Sequence, residues 1–504
     1  MGNFEFLKKE KNFEAFADTA IAAERVFHID LSSSAINCRR AAEFAVKWMY
    51  SVDRDLVMPY QDNFVTLINT DEFRGIVGKD ILKCLDFVRK VGNSAAHQPK
   101  NVTKDTVSLS LKYLHTFLKF VAYSYSLIEF DDLEYDVSLI ENISEKTIPV
   151  ISEVDFAKLK QENENLKLQL TTIRSQKAHE YQPHVNFTED ATRKAYIDVM
   201  LTDAGWTRGK DWEDEFYIEN MPNKSGYGAA DYVLFDDAHI PLAVIEAKKT
   251  SKDVAVGRVQ AKLYADDIER RFGRRPIIFL TNGFDTRIIA DQPNGYPERR
   301  ISFIYSKKDL QKEFFKIENK IPLVNAVIDD KISERYYQKE AIKAVCESFG
   351  NGNRRKALLV MATGSGKTRT VISLVDVLQR HNWIENFLFL ADRNSLVTQA
   401  KRAFVNCLPN VSVTNLVEDK DNPKARGVFS TYQTMMGCID SSKDEHGEKL
   451  YTSGHFDLII VDEAHRSLYK KYKAIFEYFD ALLIGLTATP RDDIDKNTYE
   501  IFDL

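Results

Sequence analysis

Two sets of residues in this 504-residue chain are spaced for chemistry on phosphates. The first runs Met361, Ala362, Thr363, Gly364, Ser365, Gly366, Lys367, Thr368, directly after the apolar stretch Ala357 to Val360. A short buried strand feeding a glycine-rich turn points several backbone N–H groups into one concavity. Lys367 can then reach the outer phosphates of a nucleotide, and the Thr368 hydroxyl can hold Mg²⁺. Met361 departs from the usual pattern, which opens on Gly. Downstream, Phe456 to Val461 is a second apolar stretch ending in Asp462, Glu463, Ala464 and His465. Strand C-terminal ends line the ligand crevice of a parallel sheet. Asp462 is thus placed to hold Mg²⁺ through water, and Glu463 to activate the water that attacks the γ-phosphate of ATP. A third stretch, Leu482 to Leu486, closes on Thr487, Ala488 and Thr489, and upstream Arg335, Tyr336, Tyr337 and Gln338 offer an amide for the adenine edge and a ring to stack on it.

The second set is Asp231, Glu246 and Lys248, with fourteen residues between the two acids. Asp231 begins Asp-Tyr-Val-Leu-Phe, a strand pattern; Asp236 and Asp237 make a turn; Pro241 to Lys248 returns as a second strand. Alternation puts Glu246 and Lys248 on one face, opposite Ile245 and Ala247, and an adjacent strand can bring Asp231 beside them. Two carboxylates a few ångströms apart repel, and a divalent cation such as Mg²⁺ is the simplest way to keep both ionised. Such an ion polarises a phosphodiester and lowers the pKa of a bound water, while Lys248 stabilises the charge gained in the transition state. Glu189 opens a preceding helix. On a following helix Gln260 and Tyr264 stand one turn apart.

The elements that must position these residues divide the chain into four parts. Residues 1–145 carry helical periodicity (Ala41, Ala42, Ala45, Val46, Met49; then Ile81, Leu82, Leu85, Val88) and few strand signals. Residues 146–180 form a connecting helix; Leu159, Leu166 and Ile173 are spaced by seven, but barely two heptads are present, which favours a single exposed helix over a coiled coil. Residues 181–320 hold the carboxylate set, with Thr188 as N-cap of a helix bearing Ile197, Met200 and Leu201 before Gly205. Residues 321–504 hold the glycine-rich loop. The expected fold class is therefore multidomain α/β: a helical N-terminal domain, a mixed α/β domain and a parallel-sheet domain.

Composition narrows the class further. The 44% hydrophobic content suits globular cores. A formal net charge of −6 argues against binding nucleic acid through overall charge. A local patch around Gly273 (Arg270, Arg271, Arg274, Arg275) is either a DNA contact or a solvated turn. Cys38, Cys84, Cys346, Cys407 and Cys438 lack metal-ligand spacing and read as reduced thiols. No apolar signal core and no membrane-spanning segment is visible, so a cytoplasmic protein without a membrane partner is expected.

Asp462 to His465 and Thr487 to Thr489 resemble motifs II and III of superfamily 2 helicases, and Ala391, Asp392 and Arg393 stand at the place of motif Ia. Asp231, Glu246, Lys248, Gln260 and Tyr264 resemble the PD-(D/E)xK nuclease fold in its Gln-x-x-x-Tyr variant. A nuclease of this kind followed by such a motor resembles the restriction subunit of type I restriction-modification enzymes, over residues 181 to 504. The resemblance implies catalytic roles for Glu189, Asp231, Glu246, Lys248, Gln260, Tyr264 and Glu463, and metal binding by Asp231, Glu246, Thr368 and Asp462. It implies ATP binding by Arg335, Gln338, Thr363 to Thr368, Asp462, His465, Thr487 and Thr489. It further implies a subunit that docks on methyltransferase and specificity subunits, pulls double-stranded DNA by hydrolysing ATP, and cuts it with Mg²⁺. Such motors use two lobes and the motifs here belong to the first, so an N-terminal piece of a longer protein is expected. Arg89 to His97 resembles the HEPN group of helical domains, but seven residues separate Arg89 from His97, longer than the catalytic spacing. That makes His97 structural and the domain a docking module. The alternatives are a translocase whose nuclease-like domain only grips DNA, and an interaction scaffold.

Overall fold

The computed structural model describes residues 2–59, 62–97, 102–126, 128, 134–141, 164–177, 190–222, 226–247, 254–283, 285–350, 354–418, 425–439, 449–463, 472–488 and 502. They fall into two compact units, Met1–Asp203 and Ala204–Leu504.

The first unit is helical: α1 (Glu14–Arg25), α2 (Leu31–Val52), α3 (Phe64–Ile68), α4 (Asp71–His97), α5 (Lys104–Tyr125), α6 (Ser138–Glu141), α7 (Glu164–Lys177) and α8 (Asp190–Asp203). Local capping starts the long helices. The Asp30 side chain accepts from Ser32 N at 2.9 Å ahead of α2, and Thr103 accepts from Thr106 N ahead of α5. Ala41, Ala42, Ala45, Val46, Met49, Ile81, Leu85 and Val88 are buried, so the helical periodicity marks the core face. Within α4, Gly78 leaves helical geometry at φ 75° and kinks the helix.

Helix α7 differs from the exposed connector expected of it. Leu170 is buried, and the half of α7 that follows docks on α5 and α2. Arg174 donates to Asp53 at 2.8 and 3.1 Å and to Asp55, while Tyr125 hydroxyl donates to Asp53 at 2.7 Å. Two heptads are too few to recruit a second chain but enough to cover a face of the chain's own bundle. Helix α8 belongs to this unit as well. Its Tyr196 donates to Asp86 at 3.0 Å and packs on the Phe87 ring, 5.4 Å between centroids. Burial alone would raise the Asp86 carboxyl, but Lys90 and Arg89 hold it well below the usual range. Arg89 is thereby an ion-paired core residue; the His97 side chain lies outside the described residues.

The second unit contains two six-stranded sheets. The first comprises β1 (Trp212–Glu219), β2 (Tyr227–Phe235), β3 (Pro241–Ala247), β4 (Ile277–Thr281), β5 (Thr286–Ala290) and β6 (Tyr296–Ile301), in sequential order. All neighbours are antiparallel except β3 and β4, which α9 (Val254–Phe272) joins by a crossover. Helix α10 (Lys307–Asn319) follows, opened by a capping box between Ser306 and Asp309.

The second sheet is wholly parallel, in the order β7-β12-β11-β8-β10-β9. It is built from α11 (Tyr336–Gly350), β7 (Lys356–Val360), α12 (Lys367–Arg380), β8 (Phe387–Ala391), α13 (Asn394–Cys407), β9 (Val413–Asn415), β10 (Gly427–Thr431), β11 (Leu458–Asp462) and β12 (Leu482–Thr487). Helices α11, α12 and α13 cover one face; the short helices Tyr432–Cys438 and Lys473–Tyr478 pack on the other. Strand β7 is not the fully buried strand its apolar run predicts. It lies at the sheet edge, and Val360 is half exposed. The fold is thus a helical region followed by a mixed sheet and a parallel sheet, the α/β class that the patterns predict.

Candidate active sites: a carboxylate pair and a phosphate loop

Strands β2 and β3 pair Tyr232 with Ile245, so the next step of that register sets Asp231 across from Glu246. Asp231 Oδ2 accepts from Ala247 N at 2.6 Å, which ties the carboxylate to the neighbouring strand. Glu246 is only 3% exposed. It shares a strand face with Val244, which packs beneath α9 with Ala261, Tyr264 and Ala265. On α9, Gln260 Nε2 donates to the Tyr264 hydroxyl. Burial pushes that phenol up to about 12; the Gln260 hydrogen bond opposes, and the nearby Glu246 and Asp231 carboxylates add to the rise. Four of the expected residues, Asp231, Glu246, Gln260 and Tyr264, therefore meet at one place. Glu189 and Lys248 lie outside the described residues, as does Thr188.

Two features at this site carry no sequence signal. Gly228 lies against Tyr264 and Met221: a Cβ there would stand 3.3 Å from Met221 Cγ and at contact distance, 3.4 and 3.6 Å, from the Tyr264 Cε1 and hydroxyl, so a side chain longer than a methyl would crowd the phenol. The other is an irregularity at Asp231. Ala230 and Val233 are an odd number of residues apart, yet both pack beneath α9, which a regular strand cannot do. The residue facing Asp231 on β1 is Glu215, which drops out of the paired register and takes φ 56°. Strand β2 changes face at its candidate catalytic acid.

The donor set fits a hard divalent cation. Among the described residues no cluster of three or more His, Cys, Asp or Glu side chains is assembled. Mg²⁺, however, needs only one or two carboxylates and completes its shell with water and substrate oxygens. The basic patch around Gly273 is otherwise committed. Arg270 pairs with Asp267, Arg271 with Asp267 and the Tyr217 carbonyl, Arg274 with Asp236 and the Pro241 carbonyl, and Arg275 with Asp266, Glu269 and Asp291. Each arginine of the patch thus has an acidic partner within its own domain.

The second site lies at the C-terminal ends of β7, β12 and β11. Gly364 and Gly366 take φ 80° and 93°, a left-handed turn that delivers the chain into α12 with Lys367 as its first residue. Lys367 Nζ reaches back to the Met361 carbonyl at 3.3 Å. The register places Thr487 beside Val360 and Asp462 beside Leu486, and Met361 N donates to the Thr487 carbonyl at 3.0 Å. Burial, then the adjacent Glu463, raise the Asp462 carboxyl, and Lys367 opposes them. Glu463 sits at φ 52°, turning sharply out of the strand. Gln338 is buried and donates to the Ser365 carbonyl at 3.0 Å; Tyr337 hydroxyl donates to the same carbonyl at 2.9 Å, and Arg335 donates to that hydroxyl at 2.7 Å. Thr363 and Gly364 are exposed, and Thr368 is half-buried. His465 and Thr489 lie outside the described residues. An exposed glycine turn at a helix N-terminus, backed by a lysine and a carboxylate, fits the phosphates of a nucleotide and its Mg²⁺.

One residue beneath this site escapes sequence reasoning. Tyr432 follows β10, is buried, and stacks on Tyr472 with centroids 5.1 Å apart. Burial, then the Asp462 and Asp392 carboxylates, push its phenol far up.

A mixed sheet with a carboxylate pair under a crossover helix, and a parallel sheet with a phosphate loop, define a nuclease-type and a helicase-type domain in one chain. Comparison with known proteins shows what the chain is similar to. Residues 331–492 match the family described as type III restriction enzyme, res subunit; residues 211–282 match the second domain of the type I restriction enzyme EcoKI endonuclease subunit; residues 21–153 match a domain family of unknown function, DUF4145. The chain is 32% identical to the type I restriction enzyme EcoAI endonuclease subunit of Escherichia coli, over 63% of this chain and 41% of that one. It is 24% identical to the EcoKI endonuclease subunit of Escherichia coli K12, over 61% of this chain and 33% of that one. A fragment structure assigned as the HsdR subunit of a type I restriction enzyme from Vibrio vulnificus aligns at 24% identity with a TM-score of 0.27, over 64% of this chain and 58% of that one. The chain is homologous to type I restriction-enzyme endonuclease subunits and matches the helicase-like res-subunit family over residues 331–492; it spans about two fifths of the EcoAI subunit's length. No helix among the described residues is long and apolar enough to cross a membrane.

Proposed function

We propose that this chain works as the restriction subunit of a type I restriction-modification enzyme, moving double-stranded DNA with ATP and cutting it when it is unmethylated. The observation that carries the reading is the meeting of Asp231, Glu246, Gln260 and Tyr264 under α9, in the same chain as a phosphate loop backed by Asp462. Mg²⁺ bound at the carboxylates supplies charge neutralisation at a phosphodiester and an acidified water. Asp231 and Glu246 hold it, Tyr264 fixes the position of Gln260 and walls the site, and Lys248 has the role of stabilising the developing charge. In the other domain Gly364 to Lys367 cradle the phosphates of ATP, Thr368 and Asp462 hold its Mg²⁺, and Glu463 takes a proton from the attacking water. Thr363, Ser365 and Thr487 line the loop, while Gln338 and Arg335 brace it from the side; the motif resemblance adds Thr489 and His465 to the residues that bind ATP. The resemblance adds Glu189 to the nuclease's catalytic set. The working partners are methyltransferase and specificity subunits, and the place of work is the cytoplasm.

The test is made in the assembled enzyme. Asp231→Ala and Glu246→Gln should abolish cleavage and leave ATPase activity intact, whereas Lys367→Ala should remove ATP hydrolysis and with it the cleavage of distant DNA. Equal loss of ATPase activity in all three variants would show that the two sites do not act separately.

A further inference from the structure

The nuclease-type sheet and the parallel sheet meet across two buried carboxylates, and each stands at the foot of a strand that ends at the phosphate loop's site. Asp457 immediately precedes β11, and Asp480 lies two residues before β12. Asp457 is deeply buried and the Asp480 side chain is only 10% exposed. Asp457 accepts Lys316 at 2.7 Å and Lys312 at 3.0 Å, both from α10, and the backbone N–H groups of Glu385 and Asn386 at 2.8 and 2.9 Å. Asp480 accepts Arg299 of β6 through Nε at 2.9 Å and a terminal nitrogen at 2.8 Å. It also accepts the Tyr305 hydroxyl, and Arg355 at 2.7 Å. Arg355 in turn directly precedes β7. Around these pairs Lys312 caps the Gly454 and His455 carbonyls at 2.7 Å, Ser302 bonds the Glu477 carbonyl, and the Phe303 ring packs on Tyr478 at 5.1 Å.

Interfaces between domains of one chain are by default small, polar and able to slide. This one has a different chemistry. Displacing either carboxylate would leave desolvated charges uncompensated on both sides, so intermediate docking geometries are heavily penalised. The donors from β6 and α10 grip the near ends of β12 and β11, and Asp480 draws in β7 through Arg355; the far ends of these three adjacent strands carry Thr487, Asp462 and the loop.

We infer that the nuclease-type domain and the motor lobe form a single rigid arm, locked at Asp457 and Asp480, so that the nuclease travels fixed to the motor lobe instead of on a flexible tether. The inference goes beyond the proposed activity and stands without it, because it concerns only how the two sheets open. Hydrogen exchange measured across a urea series on the full chain tests it. In the wild-type protein, peptides from β5 and β6 should open in one shared transition with peptides from β11 and β12. In the Asp457→Asn/Asp480→Asn double variant the two sheets should open separately, with exchange in at least one of them faster by on the order of a hundredfold. Arg275→Gln, which removes ion pairs internal to the nuclease-type domain, should leave the shared transition in place. Separate opening in the wild-type protein, or a shared transition that survives the double variant, would overturn the lock. If the double variant does not fold, Arg299→Gln takes its place; Asp480 then keeps Arg355 and Tyr305, the two transitions should begin to part, and no change at all would equally overturn it.

Discussion

At the scale of single residues, the nuclease-type site depends on contacts at van der Waals distance as much as on charge. Asp231, Glu246, Gln260 and Tyr264 are legible in the sequence because a carboxylate pair on paired strands and an amide–phenol pair one helical turn apart each have a spacing that geometry dictates. Gly228 is not legible, since its role is to leave room for nothing larger than a methyl against Tyr264, a residue thirty-six positions further on. Tyr432 is hidden for a similar reason: only the sheet order brings β10 close enough for its phenol to sense Asp462. Gly228→Val should push the Tyr264 ring away from the carboxylates. A shift of that size at a catalytic site costs about tenfold to a hundredfold in rate. Cleavage kinetics in the assembled enzyme should show this loss, with ATPase activity unchanged; a wild-type cleavage rate would remove Tyr264 from the site's working parts.

At the scale of elements, the strongly periodic segments are legible and the irregular positions are not. The helical first unit, the strand-turn-strand of β2 and β3 and the strand feeding the phosphate loop follow from local patterns. Patterns could not show which surface α7 covers, that β7 lies at a sheet edge, or that α8 packs with the first unit, because each depends on partners distant in sequence. The face change of β2 at Asp231 is the clearest case, since alternation predicts none. Glu215, opposite it, holds a left-handed backbone, which costs a residue with a Cβ roughly 1 kcal/mol or more. Glu215→Gly should therefore leave stability unchanged or raise it by up to about 1 kcal/mol, and Glu215→Val should lower it by about 1–2 kcal/mol. Urea midpoints of the full chain measure both. A valine variant as stable as wild type would mean that β1 can straighten without harm to the sheet.

At the scale of the whole chain, the two units should answer acid differently. In the first, His115 sits among the rings of Phe4, Phe6 and Tyr135, and burial pushes its imidazole down to about 4. The unfolded chain takes up that proton near pH 6.5, while the folded chain stays neutral until about pH 4. Between those values the unfolded state binds more protons, so the unit loses stability as pH falls, by about 3 kcal/mol at most. Glu24 works in the opposite sense: burial raises its carboxyl, so protonation on the way down favours the folded state and offsets part of the loss. In the second unit burial alone would raise Asp457 and Asp480, but Lys312 and Lys316 hold the first, and Arg299 and Arg355 the second, well below the usual carboxylate range. Their contribution is complete above the unfolded value of 3.8 and disappears only as pH falls below it. Titrated from pH 7 downward, the helical unit should weaken first and the two-sheet unit later, as two stages in hydrogen exchange. His115→Phe keeps an aromatic ring in the cage and removes the proton-binding site; it should flatten the first stage between pH 6.5 and 4 and leave the second where it is. A first stage that persists in His115→Phe would place the acid sensitivity of the helical unit in some other group.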